Sequence, residues 1–425
     1  MIFGKSVNST EQSLRLSNVD AFLYSLMVGV GESYLPAYVL SIGMGEVFAG
    51  ILASLPMVSG AVLQLVTPRL LHKVHSHKYW VVLSAFLQAL AFVPLIYFSL
   101  TRAPNFWMLF SILTLYWGAS FSAGAAWNFW MGHLVPESKS AKYFSFRAKV
   151  SQIGILLGIV GGGVALHNKV TLGPFSSVFT LLFFIAFACR LTSTLLLSKK
   201  MYRSEWGFEE QVHRLRDSWR LFWRGRHKKK FFAYLMPFQI TVYLSAPFVT
   251  PYMLAQLKMD YGHYMAAIAA MMVGKIISLS LLERAKENFD GFKVMIAGLL
   301  LVSPSPVLWA LGENFYYLIA LQVLSGMSWA CFELGLSLVF FQDLRQNEKV
   351  PVLTIYNLLN SVAIIAGTFL GARFLSLLGE QKTSYWILYA VGGALRVAFC
   401  IPVVKQALRW KKISDQEESF LPKAS

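Results

Sequence analysis

Two carboxylates stand inside long apolar stretches of this 425-residue chain, Glu32 in the first stretch and Glu333 in the tenth. A charged side chain at the centre of a membrane helix costs about 3 kcal/mol on insertion scales, so each needs a partner or a wet cavity. A carboxylate in such a place can bind and release a proton, and we expect Glu32 to be the leading candidate for binding a coupling proton or another cation. Its alternative role is a helix–helix hydrogen bond. For Glu333 the alternative is an ion pair with Lys275 or Arg396.

Aromatic and amide side chains accompany these carboxylates. The fourth apolar stretch contains Trp127 and Asn128, and Trp329 lies four residues before Glu333 on the same helical face. Such groups suit a site that stacks on or hydrogen-bonds to an organic ligand. The residues predicted to contact substrate or coupling ion are Glu32, Tyr34, Trp127, Asn128, Gln239, Trp329 and Glu333.

Basic side chains form a second group of candidates. Arg190 and Arg396 stand in equivalent places near the ends of the sixth and twelfth stretches, and Lys275 lies within the eighth. Snorkelling to the membrane surface is the alternative for all three, and Arg190 and Arg396 can also anchor a loop carbonyl. The predicted gating or charge-pair residues are Arg69, Lys73, Arg190, Lys275, Glu283, Arg284 and Arg396.

The elements that hold these residues are predicted to be membrane helices. The chain is 56% hydrophobic and only 14% charged, against about 25% charged residues in a soluble protein. This composition excludes an ordinary soluble enzyme, a disordered protein and a disulfide-rich scaffold. The stretches are longer than the roughly ten-residue alternating strands of a barrel, which favours helices. The twelve predicted spans are 19–41, 46–70, 79–100, 106–132, 147–167, 174–198, 231–256, 261–282, 293–312, 315–341, 352–378 and 384–405.

The distribution of lysine and arginine predicts the orientation of the chain. Of the 38 basic residues, four lie in the loops on one side of the membrane and four lie within spans. The remaining 30 lie on the other side of the membrane. Because basic residues accumulate on the cytoplasmic side, both termini are predicted to be cytoplasmic. We expect a multi-pass protein of the cell inner membrane. The basic residues behind the net charge of +17 therefore determine the orientation in the membrane, and no nucleic-acid partner is predicted.

A basic central segment divides the chain into two halves. The predicted domains are an N-terminal six-helix bundle over 1–198, a cytoplasmic basic linker over 199–230, a C-terminal six-helix bundle over 231–406 and a cytoplasmic tail over 407–425. The linker contains an amphipathic pattern that favours binding to anionic lipid at the inner face, with a solvated linker as the alternative. Gly124-Ala-Ala-Trp127 and Gly326-Met-Ser-Trp329 stand about 200 residues apart, which indicates duplication. The glycines of the fifth span, Gly154 and Gly158 among them, predict close helix packing.

The stretch from Trp127 to Glu137, followed by Tyr143-Phe144 and Arg147, resembles a bacterial branch of the major facilitator superfamily. The resemblance extends over essentially the whole chain. It implies an all-α integral membrane protein, with twelve transmembrane helices in two six-helix bundles, that transports by alternating access. One departure concerns the loop between the second and third spans, which keeps a basic cluster but lacks the aspartate of the superfamily pattern.

The prediction that follows is a secondary active transporter that moves a small organic solute by proton-coupled export. One alternative is an uncoupled facilitator or importer of a polar nutrient such as a sugar. Another is a lipid-handling or ligand-sensing membrane protein. No catalytic residue, metal site or cofactor is predicted, and the predicted partners are a small-molecule substrate, protons and membrane lipids around a monomer.

Overall fold

The computed structural model describes residues 2–64, 74, 76–101, 105–135, 137–171, 177–202, 219–220, 222–223, 226–284, 290–344 and 346–420. Within these residues the chain is helical and contains no strand. Two compact units divide it: the first comprises 1–211 with 258–265, and the second comprises 212–257 with 266–425. The boundary near 211 falls inside the segment predicted as the linker.

The helices up to the linker are α1 (Ile2–Val30), α2 (Leu35–Ser41), α3 (Glu46–Gln64), α4 (His77–Leu90), α5 (Phe92–Thr101), α6 (Phe106–Leu134), α7 (Glu137–His167) and α8 (Val178–Lys199). Those of seven or more residues that follow are α9 (Arg226–Ser245), α10 (Tyr261–Arg284), α11 (Gly291–Val302), α12 (Ser305–Leu311), α13 (Phe315–Asp343), α14 (Gln346–Leu378) and α15 (Lys382–Phe420). The last helix therefore continues through most of the predicted tail.

Eleven helical segments of the described chain are long and apolar enough to cross a membrane. They correspond to the second through twelfth predicted spans. The first predicted span is formed by α1 and α2, which a short 3-10 turn at Glu32–Tyr34 separates. The predicted all-α, twelve-helix membrane fold is thereby confirmed.

The two units share a break at the same place in their first membrane helix. In the first unit the α-helical pattern ends at Val30 and resumes at Leu35. In the second unit α9 ends at Ser245, and a 3-10 turn follows over Ala246–Phe248. Pro36 and Pro247 stand at these breaks, where a residue without an N–H group cannot donate to the helical ladder. Interrupted helices in corresponding positions of two repeats are typical of transporter binding sites.

Close helix packing at glycine also occurs within each of the two units. Gly154 and Gly158 of α7 lie against the backbone of α1, and a Cβ added to Gly158 would stand 2.7 Å from the carbonyl oxygen of Leu26. Gly367 and Gly371 of α14 lie against α9 in the same way. Both pairs have the four-residue spacing that lets two membrane helices approach closely. The close packing predicted for Gly154 and Gly158 is confirmed.

Candidate functional site

Glu32 lies in the break between α1 and α2 and is half-buried in the first unit. The hydroxyl of Tyr116, on α6, donates a hydrogen bond of 2.6 Å to its Oε2. Tyr116 is itself buried. Among the described residues, no basic side chain forms an ion pair with Glu32. Within the described part of the chain, the carboxylate therefore has a hydrogen-bond donor and no ion-pair partner.

Polar side chains continue along α1 from Glu32 towards the N-terminus. Tyr24 lies two helical turns earlier, and its hydroxyl is 3.3 Å from that of Ser120 on α6. The guanidinium carbon of Arg190, on α8, lies 4.8 Å from the centre of the Tyr24 ring. Arg190 is buried, and its Nη1 donates to the hydroxyl of Ser193 at 2.9 Å. Arg190 thus contacts an aromatic ring and a hydroxyl inside the bundle, and its predicted gating or charge-pair role stays a prediction.

Asp20 is the centre of a buried charge cluster that sequence reasoning missed. Its Oδ1 accepts a hydrogen bond of 2.7 Å from Ser193, and its Oδ2 lies 3.2 Å from Nζ of Lys200 and 3.6 Å from Nη2 of Arg147. Asp20 and Lys200 are both almost completely buried. The sequence contains a signal, because Ser13, Ser17, Asp20 and Tyr24 follow one another at helical spacing. The signal crosses the start of the first predicted span, because Ser13 and Ser17 precede residue 19 and Asp20 and Tyr24 follow it.

Trp127 belongs to the same cluster, which we call the Asp20 cluster: Asp20, Trp127, Arg147, Arg190, Ser193 and Lys200. The guanidinium carbon of Arg147 lies 4.1 Å from the centre of a Trp127 ring, a cation–π contact. One face of the indole is therefore occupied by a side chain of the protein. The predicted substrate contact of Trp127 stays a prediction, and the side chain of its neighbour Asn128 lies outside the described residues.

Tyr34 is completely buried within the first unit. Its hydroxyl donates to the backbone carbonyl of Ile159 at 2.5 Å, and its ring packs on Gly162 of α7. These contacts hold the C-terminal end of the break against α7. Tyr34 therefore positions the segment that carries Glu32, and its predicted contact with substrate is not tested.

In the second unit, Glu333 of α13 is paired with Lys275 of α10. The Lys275 ammonium group lies 3.1 Å from Oε2 and 3.2 Å from Oε1 of the carboxylate. The predicted charge pair is confirmed for Lys275, and it is the alternative that the sequence left open for Glu333. Trp329 packs against the aromatic core of this unit. Gln239 is buried, and its amide lies 3.4 Å from the hydroxyl of Tyr356.

Arg396 is buried in α15 without a carboxylate partner among the described residues. Its Nη2 donates to the carbonyl of Val242 at 2.9 Å and to the hydroxyl of Ser245 at 2.7 Å, and its Nε lies 3.4 Å from the carbonyl of Thr241. These groups form the last turn of α9, just before its break. A cation on the final carbonyls of a helix stabilises its C-terminus, so Arg396 anchors carbonyls of a helix end rather than of a loop.

Several predicted gating residues lie wholly or partly outside the described residues. Arg69 and Lys73 lie outside the described residues, as do His72 and His75 of the basic loop. The backbone of Glu283 and Arg284 ends α10, but their side chains are also outside the described set. Among the described residues no three metal-ligating side chains come together.

The comparisons with known proteins agree with this architecture. The sequence pattern of the Major Facilitator Superfamily matches residues 21–282, and the chain belongs to this family of membrane transporters. No protein among the curated ones matches the chain. A mutant form of the nucleoside transporter NupG superimposes with a TM-score of 0.71 at 13% identity, covering 93% of this chain and 99% of NupG.

Two further solved structures have the same fold. A bacterial homologue of the human lysosomal transporter Spinster gives a TM-score of 0.66 at 12% identity, over 98% of this chain and 99% of the homologue. The E. coli fucose:proton symporter FucP gives 0.60 at 15% identity, over 92% of this chain and 98% of FucP. At these identities the likeness establishes the fold. The predicted class, a multi-pass secondary transporter, is confirmed by the family.

Proposed function

We propose that the chain is a proton-coupled transporter of a small organic solute, in which Glu32 binds the coupling proton and the halves alternate access to the two sides of the cell inner membrane. The observation that carries the proposal is the contrast between the two predicted carboxylates. Glu333 has Lys275 beside it, whereas Glu32 receives only the neutral hydroxyl of Tyr116 among the described residues. Protonation of Glu333 would break an ion pair, and protonation of Glu32 would not.

The position of Glu32 in a helix break supports the same proposal. The backbone from Gly31 to Tyr34 leaves the regular α-helical pattern, and the N–H of Tyr34 donates to the carbonyl of Gly31, three residues back. Such a break is a point at which a helix can bend when a charge is neutralised. We infer that proton binding at Glu32 and bending of the first span are linked.

Transport in proteoliposomes tests the proposal. Vesicles that contain the purified protein are given a pH gradient, and the movement of labelled uridine, fucose and ethidium is followed in both directions, with and without the gradient. We expect the gradient to accelerate at least one solute and the Glu32→Gln variant to lose that acceleration. Glu333→Gln and Glu313→Gln serve as controls and are expected to keep it.

The outcomes separate the alternatives. Undiminished gradient-driven movement in Glu32→Gln would contradict the role of this carboxylate. Movement that never responds to the gradient would indicate a facilitator, and binding without movement would indicate a sensing or lipid-handling protein. As a measurement that needs no substrate, infrared difference spectra should show a titrating carboxyl band that disappears in Glu32→Gln and remains in Glu333→Gln.

A further inference from the structure

A groove on the second unit lies between the beginning of α9 and the last part of α15. Its volume is about 520 Å³, and it is lined by Lys230, Ala233, Tyr234, Ile401, Pro402, Lys405, Gln406 and Arg409. Three of these side chains are basic and none is acidic. The two helices run in opposite directions, so the start of α9 and the end of α15 meet at the side predicted to face the cytoplasm.

The basic side chains of this groove are free to bind an anion. Lys230, Lys405 and Arg409 are all exposed, and the structure shows no ion pair for any of them among the described residues. The carboxylate of Asp290 is instead bound to Lys411. Because Lys405 and Arg409 are four residues apart on one helix, their Cα atoms lie about 6 Å apart along the axis and their side chains can reach one polyanionic group together.

The floor of the groove is apolar and continues into the lipid-facing surface of α15. Ile401 stands one turn before Lys405 and is 66% exposed, and Val397, a further turn along, is 43% exposed. Tyr234 of α9, at 39% exposed, forms the opposite wall. Along this surface apolar side chains therefore come first and basic side chains follow, in the order of the acyl chains and headgroup of a phospholipid.

We propose that this groove binds an acidic phospholipid, with its phosphate at Lys230, Lys405 and Arg409 and an acyl chain along Ile401 and Val397. Charge complementarity carries the assignment, since basic pockets between membrane helices on the cytoplasmic side recognise anionic headgroups. A zwitterionic phospholipid gains less from three cations, because its own ammonium group is repelled by them. The site is distinct from Glu32 and from the Asp20 cluster, and it does not depend on the proposed coupling.

Native mass spectrometry of the full-length protein in detergent tests the proposal. Cardiolipin, phosphatidylglycerol and phosphatidylethanolamine are titrated separately into delipidated protein, and inorganic phosphate is added as a competitor. We expect the acidic lipids to bind and phosphatidylethanolamine to bind much more weakly. In the triple variant Lys230→Gln, Lys405→Gln, Arg409→Gln the affinity for cardiolipin should fall about a hundred-fold, because each basic residue near acidic lipid contributes roughly a factor of five.

A charge-matched control keeps the test specific. The triple variant Lys149→Gln, Lys199→Gln, Lys293→Gln removes three other exposed lysines and should retain the wild-type affinity. Equal losses in both triple variants would overturn the groove as a site and indicate general attraction to a basic surface. Equal binding of phosphatidylethanolamine, or displacement of cardiolipin by inorganic phosphate, would overturn the assignment to an acidic lipid. Single variants such as Lys405→Gln, checked by their thermal unfolding, show that any loss comes from the charge.

Discussion

At the scale of single residues, the ion pairs of this protein differ in how deeply they are buried. Asp20 and Lys200 are almost entirely excluded from solvent and lie 3.2 Å apart, while Glu313 and Lys382 form a pair whose side chains are 39% and 37% exposed. An exposed pair contributes little because water screens it. A buried pair loses much more when one member is removed, since the remaining charge has no compensation.

Asp20→Asn should therefore destabilise the protein by about 3–5 kcal/mol, measured as the free energy of unfolding in detergent. Glu313→Gln, which breaks the exposed pair, should cost less than about 1 kcal/mol. The double variant Asp20→Asn, Lys200→Met should recover part of the loss because it also removes the uncompensated cation. Similar losses for Asp20→Asn and Glu313→Gln would show that the Asp20 cluster is not a buried ion pair in the folded protein.

At the scale of the helices, glycine determines how closely neighbours approach. Gly158 of α7 touches the backbone of α1, whereas Gly161 of the same helix has open space where a Cβ would lie. A methyl group at Gly158 would require the two helices to separate. At Gly161 it would only reduce the flexibility of the unfolded chain and improve helix propensity.

We expect Gly158→Ala to destabilise the protein by about 1–3 kcal/mol through overpacking and Gly161→Ala to be neutral or stabilising by up to about 1 kcal/mol. Thermal unfolding of the two variants side by side provides the measurement. An equal effect of both substitutions would mean that α1 and α7 do not meet at Gly158.

The N-terminus of α10 has a cap with a predictable pH dependence. Asp260 accepts hydrogen bonds from the backbone N–H groups of His263 and Gly262, at 3.0 and 2.7 Å. The N–H of His263 is the main cause that lowers the pKa of Asp260 from its ordinary 3.8 to about 2. A depressed pKa means that the stabilisation is complete above pH 3.8 and is lost as the pH falls towards 2.

Asp260→Ala should therefore cost about 1 kcal/mol at pH 7, and the difference from the wild type should shrink below pH 4. Unfolding by denaturant at a series of pH values measures it. Asp260→Asn retains an oxygen that accepts both bonds and should show a smaller loss at pH 7. A gap for Asp260→Ala that persists unchanged at pH 2 would exclude the cap as its source.

At the scale of the whole molecule, the prediction concerns orientation in the membrane. The excess of lysine and arginine in alternate loops predicts that both ends of the chain face the cytoplasm. Gln381, between α14 and α15, and Gln416, near the end of α15, are exposed residues predicted to lie on opposite sides. Because only one span separates them, labelling of these two positions tests the orientation directly.

In a chain whose Cys189, Cys331 and Cys400 are replaced by serine, Gln381→Cys should react with an impermeant maleimide in intact cells. Gln416→Cys should react only after the membrane is opened. Labelling of both positions in intact cells, or of Gln416→Cys alone, would refute the predicted orientation.

The sequence by itself determined the class of fold. A bilayer acts on each segment separately, so length and hydropathy identify a span without knowledge of its neighbours. The glycine spacing that packs α7 on α1 could be predicted for the same reason, since close approach needs small residues wherever the partner lies. Glu32 could be selected as a candidate because it stands among apolar residues.

Only the tertiary structure decided which charges have partners. Lys275 and Glu333 are 58 residues apart in the chain, and Asp20 and Lys200 are 180 apart. Nothing in the local pattern of either segment shows that they meet. The energy of a buried charge depends on atoms within a few ångströms, and those atoms come from helices that the sequence lists far apart. Packing of α1 against α8 and of α10 against α13 brought these pairs together, whereas Glu32 has a tyrosine donor and no ion pair among the residues that the structure describes.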